Sequence, residues 1–287
     1  MSLLKGNSMI EILDSGYHIT IQDRGRTGFS KYGVPLSGSM DYISSNNSNS
    51  IIGNSIDEPV FEIAMMGGKF LFTEEVDICI SGAVFEVKLN NNSIDNNTII
   101  RAQKGDILNF GKALKGFRIY LAISGGFDSE LILKSRSYFE NITSSSVVKK
   151  GDRFNLLRNK TKPSNCINYP ELIFENIIEV SRGPEFNLIS GNDSKLLKEQ
   201  FFTVSSNNRM GYFFENGLSS NNFSIITTPV IPGTIQLTPS GKMIALMKDG
   251  QVTGGYPRIL QMNHNSISIL SQKKQGDNIR FKLVNLS

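Results

Sequence analysis

A stretch of twenty residues, Gln22 to Asp41, concentrates residue types that bind small anions and amides. It reads QDRGRTGFSKYGVPLSGSMD and holds four glycines, one proline, three positive charges and two negative charges. Glycine serves where the backbone needs a positive φ or a close approach, and proline fixes φ at about −65°. Arg24 and Arg26 supply planar cations, while Ser37 and Asp41 supply a hydroxyl and a carboxylate. The stretch predicts a binding loop; the alternatives are a long surface turn with solvated charges and, for Asp41, a helix N-cap.

A second group of candidates lies in the C-terminal half of the chain. Arg209 and Tyr212 belong to the run SSNNRMGY, residues 205–212, and the run TGGYP extends from Thr253 to Pro257. Paired glycines can present consecutive N–H groups as an anion-binding nest or an oxyanion hole. The structural alternatives are an Arg–Asp ion pair for each arginine and a tight strand connection for the glycines. His18 and His264 belong to no catalytic motif, and His264 is predicted to lie in an Asn-rich turn.

Composition limits the class of protein. The chain has 287 residues, 39% of them hydrophobic, which is enough to fill one large or two medium cores without a metal or a disulfide. Its two cysteines, Cys79 and Cys166, cannot form a disulfide framework or a zinc cluster, so a cytoplasmic location is the expectation. Residues 1–8 resemble an expression leader, and we expect neither a secretory signal nor a membrane span.

The distribution of charge argues against a nucleic-acid partner. The net charge is +4, but the lysines and arginines are scattered along the chain and are not interleaved with aromatic residues. We therefore expect no nucleic-acid partner and no membrane partner. No histidine, cysteine or carboxylate cluster has metal-ligand spacing, so no metal site is predicted.

The candidates must be positioned by a mainly β fold. Short runs rich in β-formers are bounded by Gly, Asn, Asp or Pro, and only two helices are predicted, at Asp41–Ile52 and Asn192–Phe202. A Gly-Asp pair precedes three of the strands, at Gly105, Gly151 and Gly276, and Asp249-Gly250 is predicted to form a hairpin turn. The repeated Gly-Asp motifs predict two β-barrel halves, residues 9–160 and 170–287, with a ligand site where they meet.

Ordered motifs along the chain identify it as similar to one family. The order QDxGRxGxxxxGVPxSGxMD resembles the start of the C-component family of bacterial 5-oxoprolinase, also called the KipA-like or biotin-dependent carboxyltransferase family, or allophanate hydrolase subunit 2. The resemblance covers nearly the whole chain from Met9. Its further motifs are Gly53-Asn54, Phe61-Glu62, Ser81-Gly82-Ala83, Gly105-Asp106, residues 122–126, Ser135-Arg136-Ser137, Arg182-Gly183-Pro184, residues 205–212, residues 232–236 and residues 253–257.

The resemblance implies a fold and an activity. The fold would be a pair of cyclophilin-like β-barrels, and the activity would be cleavage of 5-oxoproline to glutamate with ATP as co-substrate, in complex with the A component and the KipI-like B component of the enzyme. Arg24, Arg26 or Arg209 would hold a carboxylate or a phosphate, with Ser37, Asp41 and Tyr212 also in the substrate site. Gly254 and Gly255 would donate to developing charge, and Thr253 and Tyr256 would orient the substrate.

The same resemblance leaves the activity open. The alternatives are the carboxyltransferase component of a urea carboxylase-like enzyme and a non-enzymatic regulator that binds a KipI-like partner. No P-loop or Rossmann pattern is present, so an ATP site would be of an unrelated kind or lie partly on another polypeptide. Lys248 is followed by Asp249 where a biotin-attachment motif has methionine, so we expect no covalent biotin on this chain.

Overall fold

The computed structural model describes residues 9–159, 161–162 and 172–285. The expected leader and Cys166 lie outside the described residues. The chain divides into two compact units, of which unit 1 contains residues 9–25 and 42–162 and unit 2 contains residues 26–41 and 172–285. This division differs from the predicted halves in one respect, because residues 26–41 belong to the second unit although they come early in the sequence.

Unit 1 is an antiparallel sheet with one helix. Its nine strands follow the order β2-β3-β8-β4-β1-β9, and β5 pairs with β6, β7 and β8. The elements are β1 (Met9–Asp14), β2 (His18–Gln22), α1 (Tyr42–Ile51), β3 (Val60–Ala64), β4 (Lys69–Phe72), β5 (Val76–Leu89), β6 (Asn92–Ser93), β7 (Ile100–Ala102), β8 (Ile107–Ile123) and β9 (Arg153–Asn155).

Alternating side chains build the core of unit 1. Ile10 and Ile12 of β1 are buried, while the residues between and beside them are partly exposed, as expected for a strand with one face on the core. Phenylalanines fill the centre, and the Phe61 and Phe127 rings stack with their centroids 4.3 Å apart. Such burial of aromatic area supplies much of the stabilising free energy of a sheet core.

Unit 2 is a closed barrel with two helices and a ribbon. The barrel order is β10-β17-β14-β15-β12-β11-β18, with β13 and β16 forming a separate two-stranded ribbon. The barrel closes through β10 and β18, which run parallel. The elements are β10 (Ile177–Arg182), α2 (Gly191–Glu199), β11 (Phe202–Asn207), β12 (Gly211–Phe214), β13 (Thr228–Pro229), β14 (Thr234–Leu237), β15 (Met243–Leu246), β16 (Thr253–Gly254), β17 (Arg258–Met262), α3 (His264–Ser271) and β18 (Asn278–Leu283).

The mainly β fold and the two predicted helices are confirmed by the structure, whereas two local predictions are wrong. His264 does not lie in a turn but begins α3, whose N-cap Asn263 accepts a hydrogen bond from the Ser266 N–H at 2.8 Å. Asp249-Gly250 does not join a hairpin, because β15 pairs with β12 and β14 while β16 pairs with β13. Among the described residues no helix combines the length and apolar character needed to cross a membrane.

The Gly-Asp turns repeat one geometry in both units. Gly105, Gly151 and Gly276 have φ values of 88°, 91° and 88°, and a strand begins two residues after each of them. In each turn the Asp carboxylate accepts from the backbone N–H three residues earlier, at 2.8, 2.8 and 2.9 Å. The predicted placement of these turns before strands is therefore confirmed. The three Gly-Asp motifs form the same hydrogen bond in each turn.

Candidate functional site

The glycine-rich loop of residues 26–41, called here the anchored loop, is tied to unit 2 at its C-terminal end. The Ser37 N–H donates to the Lys248 carbonyl at 2.8 Å. The Gly38 carbonyl accepts from Nη2 of Arg209 at 2.7 Å. Met40 packs in the core of unit 2. These contacts explain why an early segment of the chain belongs to the second unit.

Asp41 ends the anchored loop with a buried carboxylate. Its Oδ2 accepts a hydrogen bond from Nε2 of Gln272 at 2.7 Å, and neither side chain is accessible to more than 2%. Asp41 directly precedes α1, as predicted for a cap position. The bond to Gln272 shows that its carboxylate also fixes the end of the loop.

Arg209 is held in a buried ion pair with Asp249. Its Nε lies 2.6 Å from Oδ2 and its Nη2 lies 3.2 Å from Oδ1, so the guanidinium fork meets the carboxylate with two parallel hydrogen bonds. Both side chains are less than a tenth exposed. Because such charge-assisted pairs are short and directional, Arg209 holds the Gly38 carbonyl in a fixed position.

Besides Asp41, three buried polar side chains lie along the anchored loop. Arg26 and Ser37 are fully buried and Ser39 is 4% exposed. Within the described part of the chain, the hydroxyls of Ser37 and Ser39 have no hydrogen-bond partner. A buried unsatisfied hydroxyl costs about 1–3 kcal/mol. Ser39 was not predicted as a site residue, although the Ser-Gly-Ser spacing from Ser37 was a signal for it.

Ser37 also has an unusual backbone. Its φ is 55°, in the left-handed region, and Gly38 follows with a φ of 89°. A non-glycine residue with such a φ costs about 1–2 kcal/mol, and strained backbone of this kind clusters at functional sites. The strain places the Ser37 N–H against Lys248 and the Gly38 carbonyl against Arg209.

The run TGGYP forms one edge of the β13–β16 ribbon. A Cβ on Gly254 would lie 2.4 Å from Nε2 of Gln236, so any other residue there would require the Gln236 side chain to shift. The same Nε2 donates to the Tyr256 carbonyl at 3.3 Å. Thr253, Gly255 and Tyr256 are exposed to solvent, so their side chains and backbone remain accessible to a ligand.

One turn, residues 247–251, connects these parts of unit 2. Its Asp249 pairs with Arg209, and its Lys248 carbonyl accepts from Ser37. Two residues after Asp249, Nε2 of Gln251 donates to Oε1 of Gln236 at 3.4 Å. The structure thus links Ser37, Arg209 and Gly254 through a single turn. Gln236, Asp249 and Gln251 were not predicted, although Gln236 belongs to one of the quoted motifs.

Two predicted residues serve other contacts. Tyr212 is fully buried, and its hydroxyl lies 3.2 and 3.1 Å from the carbonyls of Ser271 and Lys273, at the end of α3. Arg24 belongs to unit 1, where its Nη1 lies 3.1 Å from Oδ1 of Asp57 with both side chains mostly exposed. The structure therefore does not place Arg24 in the anchored loop.

Asp23 explains a further motif in unit 1. Its carboxylate accepts from the hydroxyls of Ser135 and Ser137 at 2.7 and 2.6 Å, and from the Arg136 N–H at 2.6 Å. The Ser-Arg-Ser run therefore holds the residue that leads into the glycine-rich stretch. Across the described ranges, His, Cys, Asp and Glu side chains form no group that could hold a metal ion.

Unit 2 thus combines a closed barrel, a buried Arg–Asp pair and a glycine-rich anchored loop. The family model for the carboxyltransferase domain, subdomain A and B, matches residues 32–283, so the chain belongs to that family. This match confirms the family resemblance predicted from the ordered motifs.

Curated relatives and solved structures give the particular similarities. The chain is 27% identical over 285 residues to the C component of 5-oxoprolinase of Haemophilus influenzae, covering 97% of this chain and 92% of that protein. It is 42% identical over 130 residues to the urea amidolyase of Lachancea kluyveri, covering 45% of this chain and 7% of that protein. The crystal structure of the Kluyveromyces lactis urea amidolyase superposes with a TM-score of 0.88 at 27% identity, covering 99% of this chain and 19% of that chain.

Proposed function

We propose that this chain is the C component of an ATP-dependent 5-oxoprolinase, which cleaves 5-oxo-L-proline to L-glutamate together with the A and B components in the cytoplasm. The observation that carries the proposal is the match to the C component of the Haemophilus influenzae enzyme, which covers 97% of this chain and 92% of the relative. This match extends over most of both sequences, whereas the match to urea amidolyase covers a small part of a much longer protein.

The chemistry of 5-oxoproline sets what the site must supply. The substrate has a carboxylate and a lactam, and a lactam is a stabilised amide that water attacks slowly. Activation of the lactam oxygen, for instance by phosphorylation from ATP, makes that attack feasible. The protein then has to hold the carboxylate, donate hydrogen bonds to developing negative charge and fix the orientation of the ring.

The anchored loop supports the binding part of this proposal. Arg26 is the buried cation of the loop, and the buried hydroxyls of Ser37 and Ser39 supply donors suited to a carboxylate or a phosphate. Arg209 is a positioning residue in this scheme, because its Nε and Nη2 already bind Asp249 and the Gly38 carbonyl. Gly254 and Gly255 supply N–H donors, with Thr253 and Tyr256 beside them, as the family resemblance implies.

Reconstitution tests the proposal at the level of the reaction. We expect glutamate release coupled to ATP hydrolysis when this chain is mixed with its cognate A and B components, and neither product from this chain alone. Omission of each component in turn is the control. Coupled glutamate release that is the same with and without this chain would exclude the proposed role.

Serine variants test the site itself. Ser37→Ala and Ser39→Ala remove a hydroxyl and keep Cβ, so we expect kcat/KM to fall about tenfold or more, equivalent to about 1.4 kcal/mol of binding free energy. Ser30→Ala is the matched control, because Ser30 lies on the same loop and is exposed. Unchanged kcat/KM in both test variants, with the fold intact, would remove the hydroxyls from the site.

A second function has its own support. The local identity to urea amidolyase is 42%, and the K. lactis structure covers 99% of this chain, so a carboxyltransferase acting on carboxybiotin is the competing assignment. In this assignment we still expect no biotin on Lys248, because Asp249 follows it and pairs with Arg209. Urea-dependent consumption of carboxybiotin by the chain, with no glutamate release in the reconstituted mixture, would favour this assignment.

A further inference from the structure

A basic cleft lies on the outer surface of the unit 2 barrel, and none of its lining residues belongs to the candidate functional site. Its volume is about 500 Å³, within the roughly 300–1,000 Å³ typical of small-molecule pockets. We call it the β10–β18 cleft. Its lining residues are Ile177, Arg182, Lys198, Arg280, Phe281, Lys282, Leu283, Val284 and Asn285.

Strand register builds the cleft. In the parallel pair β10–β18, Ile177 lies opposite Arg280 and Glu179 lies opposite Lys282. Residues one position along each strand, such as Ile178 and Phe281, are buried in the barrel core. Because side chains alternate across a strand, the two β18 cations and Ile177 all point outward to the same surface.

Two cations from outside the β18 strand complete the charge of the cleft. Lys198 lies in the last turn of α2, and its backbone carbonyl accepts from Nε of Arg280 at 3.0 Å. Arg182 ends β10, and its guanidinium lies over the Phe186 ring, 4.9 Å from the centroid. The hydrogen bond to the α2 backbone fixes Arg280, and the ring contact orients Arg182, so both are partly pre-organised.

Few of these charges are neutralised by the protein. Lys282 is paired with Glu179 at 2.9 Å, and the hydrogen bond from Lys282 lowers the pKa of that carboxyl. Over the described residues, Lys198, Arg182 and the Nη groups of Arg280 have no carboxylate partner. The three positive charges of Arg182, Lys198 and Arg280 repel each other, and a bound polyanion relieves this repulsion.

We propose that the β10–β18 cleft binds a small polyanion that carries phosphate groups and an apolar or aromatic part, of the nucleoside polyphosphate class. Arg182, Lys198 and Arg280 hold the phosphates, since arginine forks match phosphate geometry. Ile177 and Leu283 provide an apolar wall for the remaining part of the ligand. The proposal concerns a different set of residues from those assigned to the reaction above.

Calorimetric titration of the full chain without its partner proteins tests the proposal. The probes are ATP, inorganic tripolyphosphate and adenosine. We expect saturable binding of ATP and tripolyphosphate that weakens as salt is raised from about 50 to about 300 mM, as screening requires, and no binding of adenosine. Tripolyphosphate binding as tight as that of ATP assigns recognition to the phosphates, whereas tighter ATP binding adds the apolar wall.

Charge-removing variants make the test specific. We expect Lys198→Gln combined with Arg280→Gln to weaken ATP binding at least tenfold with the melting temperature preserved. Lys195→Gln is the matched control, because Lys195 lies one turn earlier on α2 and is mostly exposed. Equal weakening by the control, unchanged affinity in the double variant, or binding of a poly-glutamate peptide but not of tripolyphosphate would overturn the assignment.

Discussion

Both units bury an arginine against a carboxylate, but the two pairs do different work. In unit 1, Arg118 Nε lies 3.6 Å from Glu62 Oε1, and both residues stand on the neighbouring strands β8 and β3. In unit 2, Arg209 meets Asp249 at 2.6 Å and also binds the Gly38 carbonyl. The first pair spans a ladder that is already hydrogen-bonded, whereas the second joins three segments distant in sequence.

The difference teaches where a buried charge positions a site. A buried pair costs desolvation that only good geometry recovers, so a pair alone is weak evidence for stability. The loose pair of unit 1 is supplemented by the Tyr120 hydroxyl, which donates to Glu62 at 2.9 Å. The tight pair of unit 2 fixes a strained, glycine-rich loop, which is the arrangement expected where geometry matters for binding.

The largest expected effect follows loss of the unit 2 pair. Arg209→Ala leaves Asp249 buried without its cation and releases the Gly38 carbonyl, so we expect a loss of about 3–5 kcal/mol in the free energy of unfolding. In the reconstituted complex, turnover per folded molecule should fall by orders of magnitude. Chemical denaturation and glutamate release measure the two effects, and wild-type turnover in the folded fraction would show that Arg209 positions nothing.

Loss of the unit 1 pair should reduce stability alone. Glu62→Ala leaves Arg118 buried without this carboxylate, and we expect a cost of about 3 kcal/mol, at the low end of the range because the Arg118–Glu62 distance is as long as 3.6 Å. Turnover per folded molecule should stay within about twofold of wild type. Denaturation measures the first quantity, and a turnover loss as large as that of Arg209→Ala would erase the distinction between the two pairs.

Tyr138 of unit 1 is a buried titratable residue that belongs to neither ion pair. Burial, with added repulsion from Asp152 and Glu130, raises the pKa of Tyr138 to about 12 from its usual 10.0. The neutral phenol is thus favoured in the folded state. Its contribution to the free energy of unfolding is complete below pH 10.0 and is lost as pH rises towards about 12. We expect Tyr138→Phe to lower the pH dependence of unfolding between those values, and an unchanged slope would contradict this.

The smallest effects compare one turn across the two units. Gly151→Ala and Gly276→Ala place a Cβ where nothing lies within 4 Å, so strain from the positive φ is the expected cost. We expect about 1 kcal/mol in each case, and equal values within experimental error. Gly191→Ala is the control, because Gly191 opens α2 with open space around it and no positive φ. Unequal costs would show that the shared hydrogen bonds do not make the turns equivalent.

The sequence predicted features whose cause is local. The Gly-Asp turns were found because glycine and an aspartate acceptor encode them within four residues, and α1 was found because Gly53 follows its end. The helix α3 was missed because its Asn and Ser residues are typical of turns, although Asn263 serves as its cap and Ile267 and Leu270 are buried. A cap and an amphipathic face were both present, but the polar residues obscured them.

The anchored loop shows what the sequence alone could not predict. Its motif predicted a binding loop, and Arg209, another predicted site residue, lies in the same unit. However, the partners Asp41 and Gln272 are 231 residues apart, and Arg209 and Gly38 are 171 apart. Pairing over such separations is decided by the folded barrel, so the Arg209–Asp249 bond did not follow from local patterns.

The path of the chain has a consequence for dissecting this protein. Cutting between the predicted halves, residues 9–160 and 170–287, would produce a C-terminal fragment that lacks residues 26–41. In that fragment Gln272 and Arg209 would lose acceptors, and the absence of Met40 would leave a gap in the barrel core. During synthesis the anchored loop leaves the ribosome long before Arg209 and Gln272, so its hydrogen bonds to them form only after those residues have been made. A fragment that reproduces unit 2 therefore needs residues 26–41, either added as a separate peptide or joined to it by circular permutation.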